Sequence, residues 1–107
     1  MRTGSTAVMI LRLLAEKPMY GYQIVKELQA RSNGFFNLEQ GTLYPALHRL
    51  EKDGLVESKW EVVEDGPSRK YYYITSGGHQ ELENSAQQWS DFSRHLLNLL
   101  DGLAPGR

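Results

Sequence analysis

Apolar positions recur along this chain with two different periods, and the changes of period divide it. Across "TAVMILRLLAEKP", Ile10, Leu13 and Leu14 fall at helical spacing, and Pro18 pushes its predecessor out of helical conformation, which predicts a first helix over about residues 6–16. In "MYGYQIVKELQARSNG", Tyr20, Ile24 and Leu28 share one face and Asn33-Gly34 is a stop and turn signal, predicting a second. "EQGTLYPALHRLEKDGL" carries a third stripe, Leu43, Leu47 and Leu50. Pro45 lacks an amide hydrogen and fits best in a first turn. That argues for a start near Thr42 with its hydroxyl as cap, or for an earlier start with a local distortion. Gly54 then supplies a left-handed terminator, and Leu55 the apolar residue that folds back behind it.

The period next falls to two. Val56, Ser58, Trp60 and Val62 alternate with Leu55, Glu57, Lys59 and Glu61, predicting a half-exposed strand that runs to Val63. "EDGPSR" reads as a turn and "KYYYIT" as the returning strand, with Tyr72 on the opposite face from Tyr71 and Tyr73 and with Arg69 and Lys70 at the basic tip of the hairpin. The chain closes on a long helix opened by Thr75 or Ser76 and ended by Gly102 or by Pro105-Gly106, its first turn weakened by Gly77 so that a late start is expected. Leu82, Trp89, Leu96 and Leu103 fall at successive sevens, with Phe92 and Leu99 three residues after the second and third of them, an a/d pattern. Such a helix would be about 40 Å long, more than a small three-helix core can cover. These six residues are therefore expected at the interface with a partner chain. The order of elements is that of a mainly α fold with a small β-hairpin: a winged helix-turn-helix over residues 1–75, then a C-terminal dimerisation helix over residues 76–104.

Composition narrows the chemistry. With 40% apolar and 23% charged residues and no long apolar run, the expectation is a cytoplasmic protein without a membrane span, and Arg12 interrupts the one short apolar segment near the N-terminus. The chain has no cysteine, which removes disulfides, thiolate catalysis and the common structural zinc sites. His48, His79 and His95 lie far apart and form no ligand pair, so neither a metal nor any other cofactor is expected. There is no nucleophile with base and orienter and no phosphate loop, so an enzyme is not expected. The net charge of −1 leaves no global basic footprint. Residues 1–75 hold ten Lys or Arg against nine Asp or Glu, and residues 76–107 two against four, so a DNA-facing surface must be a local patch.

Three motifs, "YGYQIVKEL", "GTLYPALHRLEKDGLVES" and "GPSRKYYYIT", together resemble the PadR family of transcriptional regulators, and with the closing helix the resemblance spans nearly the whole chain. The single helical tail is similar to the smaller PadR subfamily. The resemblance implies a homodimer that binds a near-palindromic operator, mostly represses, and is often released by a small planar aromatic or cationic effector.

Candidate contacts follow. Tyr44, Pro45 and His48 give the third helix an outer face unlike the Glu, Lys and Gln of a merely soluble one, suited to base edges or backbone, although Tyr44 could instead pack under helix two. Gln40 and Thr42 stand where helix amides favour anions, Thr42 serving equally as a cap. Arg49 and Lys52 either meet phosphates or neutralise Glu51 and Asp53. Ser68, Arg69 and Lys70 could follow the backbone or enter the minor groove, or simply blunt an edge strand. The resemblance adds Tyr20 as a phosphate contact. It also makes Trp89, otherwise a large seam residue, part of an effector site with Met9, Gln88, Phe92 and Asp91, the last as counter-charge for a cation. The competing reading is a winged-helix module that binds protein and not DNA.

Overall fold

The computed structural model describes residues 4–62 and 64–103. Four helices and three strands follow in the order α1 (Ser5–Leu14), β1 (Met19–Tyr20), α2 (Gly21–Arg31), α3 (Gln40–Lys52), β2 (Val56–Glu61), β3 (Arg69–Ile74) and α4 (Ser76–Leu100). The apolar stripes of the first three helices meet in one core. Ile10, Leu11, Leu13 and Leu14 of α1, Ile24 and Leu28 of α2, and Leu43, Leu47 and Leu50 of α3 are buried there with Met19, Val56 and Tyr72 from the sheet. Helix α1 ends two residues short of the expected boundary, with Ala15 as its C-cap.

The ends of α3 show which local signals decide its position. At the C-terminus, Gly54 adopts φ 76°, the Leu55 N–H donates to the Leu50 carbonyl at 2.9 Å and the Gly54 N–H to the Glu51 carbonyl at 3.0 Å, the paired bonds of a left-handed terminator. The N-terminus differs from the expected start. The helix opens at Gln40, Glu39 is the cap residue without a side-chain bond, and Thr42 lies inside the first turn with its N–H on the Glu39 carbonyl at 3.0 Å. Thr42 is therefore not the cap. Pro45 falls in the second turn, where it withholds a donor from the Gly41 carbonyl; Gly41 is exposed, so water can take the missing place.

The sheet is larger than the expected hairpin. Its antiparallel order is β1-β3-β2, with Met19 opposite Tyr72 and Tyr20 opposite Tyr71 on one side of β3, and Ser58 opposite Tyr72, Trp60 opposite Lys70 and Glu61 opposite Arg69 on the other. Tyr20 thus belongs to a strand, and α2 begins only at Gly21. Trp60 is 69% exposed, because β2 runs on past the core that buries Val56. Val62 follows the end of the strand, and Val63 lies outside the described residues. Arg69 and Lys70 do not form the tip: they open β3, and the turn beyond them carries Glu64 and Asp65.

Helix α4 is not delayed by its glycines. Thr75 caps it, its Oγ1 accepting from the Gly78 N–H at 3.0 Å and donating to the Gly54 carbonyl at 2.7 Å, so one hydroxyl closes the start of α4 on the end of α3. A Cβ on Gly78 would stand 2.2 Å from the Leu55 carbonyl oxygen, which makes this glycine a requirement of close packing. The helix has 25 residues, about 37 Å. Its first turns are held by the body, with Ser85 buried and Leu82 partly buried against the core of its own chain. Phe92, Leu96, Leu97, Leu99, Leu100 and Leu103 are exposed. Gly102 at φ 88° follows the helix; the alternative stop at Pro105-Gly106, and Ala104, lie outside the described residues. No helix among the described residues is long and apolar enough to cross a membrane.

Candidate nucleic-acid interface

Burial of Leu43, Leu47 and Leu50 turns Gln40, Thr42, Tyr44, Pro45, His48, Arg49 and Lys52 outward, and all seven are exposed. Tyr44 does two things at once. Its ring closes on α2 where Gly21 leaves room, since a Cβ there would stand 2.5 Å from the phenol oxygen, yet the residue remains 45% exposed.

Beside Tyr44 opens a cleft of about 390 Å³ that joins α3 to the sheet. Tyr20, Gly21 and Tyr22 form one wall, Tyr44 another, and Trp60, Ser68, Arg69, Lys70 and Tyr72 the third. Five of the residues singled out from the sequence, Tyr20, Tyr44, Ser68, Arg69 and Lys70, meet here. Gln40 borders an adjoining hollow with Tyr22, Leu38 and Tyr44. Arg49 does not join them: it faces the start of α1, lining a groove with Gly4, Thr6 and Ala7, and lies 3.6 Å from Asp53. Gly21, Tyr22, Trp60 and Tyr72 are the cleft residues that sequence reasoning did not single out. Strand alternation put Trp60 on the same face as Val56, and only the length of β2 relative to the core reveals that Val56 is buried while Trp60 clears it.

The charges in the cleft are held by rings. The Arg69 guanidinium sits 4.4 Å from the centroid of the Tyr20 ring, which itself meets Tyr71 edge-on at 5.4 Å and 76°. Lys70 Nζ lies 5.8 Å from the Tyr72 ring, and outside the cleft Lys59 Nζ lies 5.1 Å from that of Tyr73. Burial, with the charge of Glu51 and the neighbouring Tyr44, pushes the Tyr72 hydroxyl above its ordinary pKa. The Tyr73 hydroxyl donates to Glu61, and this bond raises its pKa as well. Both phenols are thus protonated donors at neutral pH. Ser58 Oγ donates to Glu51 Oε2 at 2.6 Å, tying the wing to α3. Cations over aromatic faces, beside a helix with polar side chains turned out, suit a polyanion with stacked, flat units. Among the described residues, no group of His, Asp or Glu could hold a metal ion.

The second cluster lies on α4. Trp89 and Phe92 meet edge-to-face at 5.8 Å and 82°. Asp91 accepts from Gln87 and from Arg94, each at 3.2 Å, so its charge already has an intrachain partner. Met9 lies apart on α1, in a largely apolar cavity of about 260 Å³ with Leu13, Leu28 and Phe36, which none of Gln88, Trp89, Asp91 or Phe92 lines. Within one chain the five proposed effector residues do not share that cavity.

Known proteins place this geometry. The model of the transcriptional regulator PadR-like family matches residues 10–84. An uncharacterized protein of Lysinibacillus sphaericus is 39% identical over 94% of this chain and 92% of its own length. A transcriptional regulator of Mycobacterium tuberculosis is 35% identical over 82% of this chain and 78% of its own. Among solved structures, a PadR family transcription regulator from Clostridium difficile superposes with a TM-score of 0.78 at 35% identity, covering 91% of this chain and 99% of that one.

Proposed function

The chain belongs to the PadR-like family of transcriptional regulators, and from that premise we propose that it is a homodimeric, sequence-specific DNA-binding repressor that sets α3 in the major groove and the wing along the adjoining backbone. It is a regulator by family and not an enzyme. The observation that carries the finer reading is the cleft in which Tyr44 of α3 and Ser68, Arg69 and Lys70 of the wing stand on one surface. A groove-reading helix flanked by cations is the arrangement that separates base contacts from backbone positioning.

Residues 1–75 read DNA in this account, and residues 76–104 join two copies. The exposed leucines of α4 and its aromatic pair supply the apolar surface for that junction. Two α3 helices related by a two-fold axis would meet a near-palindromic operator with half-site centres about 34 Å apart. The cytoplasm, where such an operator lies, is the expected compartment. Trp89 and Phe92, with Gln88, Asp91 and Met9 drawn together across the dimer, form the proposed site for a small planar aromatic or cationic effector.

The test is a titration against the DNA upstream of the protein's own gene, at two salt concentrations and with an unrelated fragment as competitor. Binding that survives competition is the expected result. Absence of binding at low salt overturns the reading in favour of a protein-interaction module. The Arg69→Ala variant is expected to bind all sequences more weakly and to lower the salt slope by about one.

A further inference from the structure

Among the described residues, Arg12, Arg31, Arg49 and Arg94 each stand within ion-pair distance of a carboxylate, and Arg69 alone among the arginines does not. This is unexpected from register. Glu61 is the residue directly opposite Arg69 in the β2–β3 ladder, on the same face of the sheet, where oppositely charged neighbours ordinarily pair. Glu61 is engaged elsewhere: its Oε2 accepts the hydroxyl of Tyr73, four positions further along β3. The guanidinium meanwhile rests on the Tyr20 ring. Stacking of this kind holds an arginine by its flat face and leaves the N–H groups at its rim able to meet a phosphate side-on.

We propose that Tyr73 is a positioning residue for DNA binding: by holding Glu61, it keeps the cross-strand carboxylate from neutralising Arg69, and so preserves a cation for a DNA phosphate. The inference rests on the reading of Arg69 as a phosphate contact. It assigns a function to the third tyrosine of "YYY", which lies outside the cleft, and to an acidic residue beside a DNA-facing surface, where a carboxylate would otherwise only repel.

Removal of the Tyr73 hydroxyl leaves the ring and frees the carboxylate. The Tyr73→Phe protein should bind DNA roughly two- to five-fold more weakly, the range expected of one exposed ion pair, with a shallower dependence on salt. In a Glu61→Gln background the same substitution should have no such effect, because no carboxylate remains to be freed. A Tyr73 that matters only for folding would weaken binding in both backgrounds, and that result overturns the proposal. So does a Tyr73→Phe protein that binds normally while Arg69→Ala binds poorly, an outcome that leaves the phosphate role of Arg69 standing. If Arg69→Ala itself leaves the salt slope unchanged, the phosphate reading fails, and this proposal fails with it. A measurement without DNA decides the pairing independently. Thermal-stability cycles between Glu61→Gln and Arg69→Ala should show no coupling in the wild-type background and a favourable coupling in the Tyr73→Phe background. Coupling already present in the wild type overturns the proposal.

Discussion

Leu43, Leu47 and Leu50 on α3 and Phe92, Leu96 and Leu99 on α4 have the same spacing and similar apolar chemistry, yet the first three are almost wholly buried while the second three are exposed, Leu99 to 76%. Spacing states which residues share a helix face. What covers the face depends on how far the rest of the chain reaches, and here the body stops near Ser85. Full burial of a leucine is worth about 1.5–3 kcal/mol. The body has collected that contribution among its own described residues, whereas the distal half of α4 leaves it uncollected there, which is the surface the proposed homodimer would use.

The contrast can be broken from either side. Leu47→Ala should cost the body about 2–5 kcal/mol, read as a lower denaturant midpoint, since the cavity lies under three helices. Gly78→Ala should cost about 1–3 kcal/mol by driving a methyl group into the Leu55 carbonyl and prising α4 from the sheet. The paired change Leu99→Glu and Leu103→Glu should leave the stability of the body within about 0.5 kcal/mol but halve the mass measured by sedimentation. Preserved mass in that variant would show that the distal leucines are not the junction. The smallest effect is expected at the α1–α2 surface. Hydrogen bonding to Arg31, with Arg12 beside it, holds the Glu16 carboxyl at about 2, below its usual 4.5. A depressed carboxylate contributes stability above the unfolded value that is lost as pH falls through the folded one. Wild type and Glu16→Gln should therefore diverge above pH 4.5 and converge on acidification toward pH 2, with a small amplitude because the site is open to water.

Much of the body was legible because its signals are local. Leucine spacing fixes α1, α2 and α3, and Gly54 ends α3 by its own backbone geometry. Features that depend on distant partners were not legible. A two-residue strand has no period of its own, and β1 exists only because β3 returns to its side. The seven-residue count put Leu82 in line with Trp89 and Leu96, but it cannot show that Leu82 also packs on its own core and that α4 leaves the body a turn later. For the candidate site, the sequence singled out most of the cleft, yet it could not show that Arg69 lies on Tyr20 or that Trp60 clears the core, because both facts follow from sheet order and strand length.

The short strand β1 also has a consequence for the order of folding. Tyr20 and Tyr71 are 51 positions apart, and closing a loop of that length costs entropy before any contact repays it. The helices between them form from neighbouring residues, but the wall that carries Tyr20 can be added only when they are already assembled. A two-residue edge with one neighbour is also where opening is cheapest. Hydrogen exchange should therefore find the amides of β1 among the earliest to open, and the candidate interface complete only in the fully folded chain.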